Sequence, residues 1–431
     1  MNEEETVIVG QNRTLLFLLI FIIFSFIITG IAADGASRAF SGFLELQFQP
    51  ARLISDFISG SGIGASLINA AAVGTTGLIF IALSRVQLSG STFSAIFTMM
   101  GFALFGKTPM NIIPIIIGVY LSGKLVGKSL SEYILIALFG TALGPLISLV
   151  AFELGLSGLP AIAVGTAAGI TTGFLIPAIA VSMLHFHQGY NLYNLGLSCG
   201  FFALFAAALI RAGGHTFEGL LLWHTEGSAI LTFMIPVLSF ILILTGLLSG
   251  GRKSLKDFMA IQRHSGRLPS DFMDMESMEG ALINAGLIGL AGSLYILMIG
   301  GDFNGPTIGG LLTIMGFGAF GTHLRNSWPV VLGVIAATLL FGKSLTAPGA
   351  ILAAIFCTTL APLAGAFGIL TGLTAGFVHL ILVHQTGSWQ GGMNLYNNGF
   401  AGGLTAAFIV SVIAWYRSKD SDFKKTIRNR E

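Results

Sequence analysis

Long apolar runs separated by short polar breaks fill the chain from Thr14 to Tyr416. A run of about 20 apolar residues is the length that carries an α-helix across a bilayer. The pattern therefore predicts an all-α, polytopic membrane protein. The runs form two matching series. The first has an opening span over 14–33, an amphipathic connector holding Phe43 to Phe57, and a full span over 62–84. Two short pieces follow, 91–106 and 110–123, and then segments 132–152, 160–184 and 193–212. The second series opens over 228–249 and has a longer, charged connector from Arg252 to Glu279. It continues with a span over 279–299, short pieces 306–321 and 327–341, and segments 347–367, 369–386 and 395–416. The short pieces fall below the ~20 residues of an upright span, so they read as half-helices of a re-entrant hairpin or as two short tilted spans.

The two series match residue by residue. At an offset of 215, Arg52, Ser55 and Asp56 return as Arg267, Ser270 and Asp271, and Asn69 returns as Asn284. The blocks Gly101-Phe102-x-x-Phe105-Gly106 and Gly316-Phe317-x-x-Phe320-Gly321 coincide, as do Asn111 and Asn326, and Gly127-Lys128-Ser129 and Gly342-Lys343-Ser344. After a small length change, Asn191-Leu192-Tyr193-Asn194 returns as Asn394-Leu395-Tyr396-Asn397. Apolar composition aligns Leu with Ile by chance; it does not align Asn, Asp, Arg, Lys and Pro in register. The chain thus divides into a first membrane repeat, 1–225, a second, 226–417, and a basic cytoplasmic tail, 418–431. With the short pair taken as a hairpin or as two spans, each half crosses an odd number of times, which predicts an inverted repeat; one piece spanning without the other would give an even count and a parallel repeat. Charge agrees: Arg13, Arg85, Lys124, Lys128, the basic residues of 252–267, Arg325 and the tail fall on one side. Arg38, Arg52, Lys107, Arg211 and Lys343 fall on the other. By the positive-inside rule both termini are cytoplasmic.

Composition supports the same class. The chain is 54% hydrophobic and only 9% charged, where soluble proteins carry about 25% charged residues. Its mean hydropathy is +0.86. A net charge of +2 argues against nucleic acid as a partner. The two cysteines, Cys199 and Cys357, lie in apolar runs and read as core residues, not as a disulfide or metal site. The first run follows an acidic stretch, Glu3 to Glu5, and is long enough to span, so it reads as a retained helix and not a signal peptide. The expected partners are the bilayer and a small-molecule solute; a homo-oligomer is compatible with this pattern.

Chemistry-bearing residues are few. The duplicated Asn191, Tyr193, Asn194 and Asn394, Tyr396, Asn397 follow Gly-rich breaks and open the last helix of each half, where the two Asn of each copy are expected to share a helix face. Asn supplies donors and an acceptor, and Tyr a donor and a flat apolar face, so these are the first candidates for solute binding. The alternative is that they cap and anchor a helix. Phe102, Phe105, Phe317 and Phe320 share a helix face within their blocks and are candidates to line a narrow pathway, or ordinary packing residues. Asn111 and Asn326, at the start of the second short piece, are natural caps and also natural pore groups. Asn69 and Asn284 are expected to bond a neighbouring helix. The four-residue spacing of Arg52–Asp56 and Arg267–Asp271 predicts local ion pairs on an interfacial helix. His185, His187, His379 and His384 lack a Cys or carboxylate partner at ligand spacing, so no metal is expected. Glu153 is the only acid deep in its stretch. No cofactor or catalytic motif stands out, and the chain does not read as an enzyme.

The duplicated blocks, over about 40–212 and 255–416, resemble an uncharacterised bacterial family of tandemly duplicated membrane proteins, a domain of unknown function. That resemblance implies membrane location and no activity. A weaker architectural likeness is to urea transporters, which also have two inverted halves and short pore helices, and sequences like Gly189-Tyr190-Asn191. This chain lacks their Leu-Pro-x-Phe-Thr block. The expectation is a transporter or channel for a small polar or anionic solute. The alternatives are a membrane enzyme or electron-transfer subunit, or a membrane scaffold docking through 252–279.

Overall fold

The computed structural model describes residues 3–428, with side chains over 12–418. The side chains of the basic tail from 419 on lie outside the described residues. In the first half, α1 (Glu3–Asp34) leads to the amphipathic α2 (Ala36–Leu46) and the long α3 (Phe57–Ser84). The short pair is α4 (Gly90–Phe102) and α5 (Pro109–Leu125). Next come α6 (Leu130–Gly140), α7 (Gly144–Phe152), α8 (Gly158–Phe186) and α9 (Asn194–Ala212). The second half repeats the order. It has α10 (Ala229–Ile261), α11 (Phe272–Met275), α12 (Met278–Ile299), the short pair α13 (Gly305–Gly318) and α14 (Leu324–Leu340), then α15 (Pro348–Phe356), α16 (Ala361–Phe367), α17 (Ile369–Trp389) and α18 (Asn397–Arg428). A kink at Gly251, φ +56°, divides α10 into a span and a counterpart of α2.

Ten helical segments among the described residues are long and apolar enough to cross a membrane, five in each half. The apolar helices Pro109–Leu125 and Leu324–Leu340 are shorter; an odd number of crossings in each half is what the expected inverted repeat requires. The outer faces of the long helices carry large apolar side chains: Phe17, Phe24, Leu209 and Leu248 are all exposed. In a bilayer that surface meets lipid. One face of α1 is different, with Leu15, Leu19 and Ile22 buried, so the first apolar run is built into the fold.

Two expected single segments are broken. A 3₁₀ turn at Thr141–Leu143 separates α6 from α7, and one at Cys357–Leu360 separates α15 from α16. Pro145 and Pro362 explain both breaks. In a 3₁₀ turn each N–H reaches back three residues, and proline has none to offer. The carbonyls of Ala142 and Thr359 are thereby left free. Each is taken by the other half: Leu395 N–H donates to Ala142 O at 3.1 Å, and Leu192 N–H donates to Thr359 O at 3.0 Å.

Such reciprocal contacts define a pseudo-twofold axis. α4 lies against α13, with Gly101 on Gly309 and, in the equivalent contact, Gly316 on Ser94. α9 and α18 meet at Gly196 and Gly399, which occupy the same place in their repeats. The Asp56 carboxylate accepts from Ile58 N–H at the start of α3 and from Gly305 N–H at the start of α13. Asp271 likewise accepts from Met273 N–H and, at the start of α4, from Gly90 and Ser91 N–H at 3.0 and 2.8 Å. Each half therefore caps the short helix of the other, placing negative charge at a helix N-terminus.

This corrects the expected Arg52–Asp56 and Arg267–Asp271 ion pairs. The chain after Leu46 is irregular, so four-residue spacing does not bring side chains together there. Arg52 instead reaches Glu153 at 2.8 Å, across 101 residues of chain. Arg267 donates to Gln188 O and stacks on the Tyr190 ring.

Candidate functional site

The breaks between α4 and α5, and between α13 and α14, are held open by buried asparagines. Asn69 Nδ2 donates to Ala103 O and Lys107 O, at 2.7 and 2.8 Å. Asn284 Nδ2 does the same for Gly318 O and Thr322 O. Asn69 and Asn284 thus bond the neighbouring short helices, as their burial in apolar surroundings requires. Asn111 and Asn326 complete the breaks from the other end. Asn111 Oδ1 accepts from Thr108 N–H and its Nδ2 donates to Gly106 O; Asn326 makes the equivalent bonds to His323 and Gly321. Both are fully engaged caps and neither lines the axial cavity described below.

With the breaks fixed, Phe102 and Phe317 stand at the helix ends and face inward. The Asn-Leu-Tyr-Asn turns bring Tyr396 against Phe102, ring centres 4.5 Å apart, and Tyr193 against Phe317 at 4.4 Å. Phe356 adds to the first pair at 5.4 Å and Phe139 to the second at 5.8 Å. The result is two equivalent aromatic triads related by the pseudo-twofold axis. They wall a cavity of about 470 Å³ that also meets Thr98, Thr313, Asn194, Asn398 and Phe320. Ser91, Leu268, Pro269, Ser270, Asp271 and Asp274 also line it. A second cavity, about 350 Å³, lies toward Arg52, Glu218, His384 and Asn397 and shares Asn398 with the first. The linker between the repeats closes over it, because Leu220 O accepts from Ile54 N–H and Leu222 N–H donates to Ile54 O.

The candidate residues therefore divide. Tyr193, Asn194, Tyr396, Phe102, Phe317 and Phe320 come together at the axial cavity, while Asn397 lines the second one. Phe105 is buried beside Phe102 at 4.7 Å and does not line either. Asn191 and Asn394 sit in the turns before α9 and α18, not on a helix face with Asn194 and Asn397. Their amides latch the halves together: Asn191 Nδ2 donates to Gly399 O at 3.1 Å, and Asn394 Nδ2 to Gly196 O at 3.2 Å. Asn194 is held between Ala180 O and His187, and Asn397 by Val383 O.

One residue absent from the sequence candidates backs the cavity wall. Lys107, expected as a loop charge, has no exposed surface, and its Nζ donates to Tyr396 Oη at 2.5 Å. It was legible only as a break in the repeat, since its equivalent at the 215-residue offset is Thr322. No group of three or more His, Cys, Asp or Glu side chains poised for a metal occurs among the described residues.

Two halves, ten apolar helices and an axial cavity define a duplicated, polytopic α-helical membrane protein. The chain belongs to the family described as "Protein of unknown function (DUF1576)", which matches twice, over residues 36–212 and 251–415. No curated protein and no solved structure matches it.

Proposed function

We propose that this protein is a membrane transporter or channel for a small polar or anionic solute, which binds between the two repeats. The observation that carries the reading is the axial cavity, walled in duplicate by Phe102, Tyr396 and Phe356 from one set of contacts and Phe317, Tyr193 and Phe139 from the other. Inverted repeats place a solute site at their interface near the membrane midplane, where either half can open it to its own side. Broken helices end at this cavity, and irregular backbone inside a membrane is tolerated where it lines one. On this reading the protein carries no catalytic group or cofactor, and its partners are the solute, the bilayer and further copies of itself. It lies in the cell membrane with both termini cytoplasmic, as the side rich in Lys and Arg suggests. The test is uptake by purified protein in liposomes, screened across metabolite classes. The expected result is accumulation of one class above protein-free liposomes; no uptake of any class overturns the reading.

A further inference from the structure

Among the described residues, Lys107 is the only lysine or arginine without exposed surface. It lies in the break between α4 and α5, behind the cavity wall. Its ammonium is 4.6 Å from the centre of the Tyr396 ring and 5.7 Å from that of Phe102. No carboxylate pairs with it; the ion pairs among the described residues are Arg52–Glu153, Lys128–Glu132 and His264–Glu276. The titratable side chains nearest to it are Tyr396 and Cys199, both uncharged at neutral pH. Burial without a countercharge pushes the Lys107 amine well below its ordinary value, so an anion brought beside it is what would hold it protonated.

Tyr396 links Lys107 to the cavity. Its Oη accepts from Lys107, and a phenol has one proton of its own to donate. No protein group takes that proton, and Tyr396 lines the axial cavity. Thr98, on the same wall, has a buried hydroxyl with no hydrogen-bond partner. The carboxylates that line the cavity, Asp271 and Asp274, belong to the connector before α12, and Asp271 is engaged by the N–H groups of Gly90 and Ser91. The interior thus offers hydroxyl donors backed by an amine that an incoming anion would charge, set in aromatic walls. The second half carries a neutral residue, Thr322, where the first carries Lys107, so the charge enters a symmetric cavity from one side only.

We propose that Lys107 and Tyr396 form an anion-recognition site in the axial cavity, and that its ligand is a small monocarboxylate with an apolar body. The Tyr396 hydroxyl touches the carboxylate, Lys107 supplies the countercharge through it, and Phe102, Phe317 and Tyr193 cover the apolar part. The proposal deepens the transport reading and rests on it for its purpose, but binding can be measured apart from transport.

Benzoate and benzamide, equal in shape and different in charge, are the probes. Scintillation-proximity binding of labelled benzoate to purified full-length protein is measured with benzamide as competitor, alongside thermal unfolding in detergent. Benzoate is expected to bind and raise the unfolding temperature, and benzamide to bind at least tenfold more weakly. Lys107→Thr, which installs the residue of the other half, is expected to erase that preference, and Lys107→Arg to retain it. Tyr396→Phe keeps the ring and is expected to weaken benzoate at least tenfold, so the proposal stays testable if Lys107→Thr fails to fold. Equal binding of benzoate and benzamide, or benzoate binding unchanged in Tyr396→Phe, overturns the site. Benzoate binding without uptake of any solute keeps the site and overturns the transport reading. Uptake of neutral solutes, unchanged in Lys107→Arg and Tyr396→Phe, with no benzoate binding, keeps transport and overturns the site.

Discussion

Gly196 and Gly399 face each other across the pseudo-twofold axis, so close that a Cβ on Gly196 would come within 2.8 Å of the Gly399 Cα, and one on Gly399 within 3.0 Å of the Gly196 Cα. This contact sets the spacing of α9 and α18, and with it the distance between the two tyrosines of the cavity. Gly196→Ala or Gly399→Ala is expected to cost about 1–3 kcal/mol by overpacking. Both press on the same gap, so the double variant should depart from the sum of the singles. Thermal unfolding in detergent, with gel filtration to check monodispersity, measures both effects.

Asn69 and Asn284 should be the most costly uncharged substitutions in the short-helix region. Asn69→Ala strands the carbonyls of Ala103 and Lys107 and removes the acceptor of the Gln47 amide. Asn284→Ala strands Gly318, Thr322 and Gln262 in the same way. A buried polar group left unpaired costs about 1–3 kcal/mol, so each variant should lose at least that much stability. Gln47→Ala removes bonds to Phe43 O, Asn69 and Met110 N–H, and Gln262→Ala one to Asn284, but both side chains are only half-buried and their loss should cost less. Unfolding midpoints of the four variants test the ranking.

Stability should depend on pH through Asp56 and Asp271, which lie in the connectors outside the ten spans. Burial pushes both carboxyls up to about 6 from 3.8, against the N–H groups that favour the charged form. A carboxyl raised on folding contributes stability that is complete below its unfolded value and is lost as pH rises through its folded value. The protein should therefore lose stability between about pH 4 and pH 6 and level off above that. Asp271→Asn keeps an acceptor for Gly90 and Ser91 without the charge and should flatten that slope. Unfolding temperatures from pH 3.5 to 8 in wild type and variant decide it; a parallel pair of curves would remove Asp271 from the account.

The inverted arrangement predicts the sidedness of two equivalent loops. Lys128 and Lys343 are exposed and correspond at the 215-residue offset. Lys128→Cys and Lys343→Cys should react with a membrane-impermeant maleimide from opposite sides of intact cells or oriented vesicles. Cys199 and Cys357 are buried and should stay silent. Labelling of both from one side would make the repeat parallel.

The helices were legible because hydrophobic run length is a local signal. The short pieces expected at 91–106 and 110–123 appear as 90–102 and 109–125, and the Gly-Phe-x-x-Phe-Gly blocks fall at the break. The duplication was legible because polar residues recur in register. What the sequence did not show were pairings between halves. Asp56 serves α13 and not Arg52, and Asn191 serves Gly399 and not its own helix face, because only folding brings those partners near. Lys107 was hidden for a related reason. A lysine between two apolar pieces has the look of a loop charge, and only the carbonyl bond from Asn69 draws its segment into the interior. The mismatch of Lys107 with Thr322 was the available signal, since a repeat that preserves Asn, Asp and Pro but alters one charge marks a position where the halves do different work.

Asn194 and Asn397 offer the sharpest division between binding and capping. They are equivalent in sequence, each bonds a carbonyl of the preceding helix, Ala180 or Val383, and each opens the last helix of its half. Asn194 lines the axial cavity, whereas Asn397 lines the second cavity beneath the inter-repeat linker. Asn397 Oδ1 is buried without a partner, while Asn194 Oδ1 meets His187 Nε2 at 3.0 Å. A solute passing between the repeats sheds its hydration and needs replacement hydrogen bonds in both cavities. Asn194→Ala and Asn397→Ala should each reduce uptake at least tenfold, with expression and monodispersity largely kept. A pure capping role predicts the opposite pattern: unfolding midpoints fall by the equivalent of about 0.5–2 kcal/mol, and uptake per folded molecule is unchanged. Measuring both quantities on the same liposome preparations separates the two, and normal transport by both variants would leave these asparagines as helix caps alone.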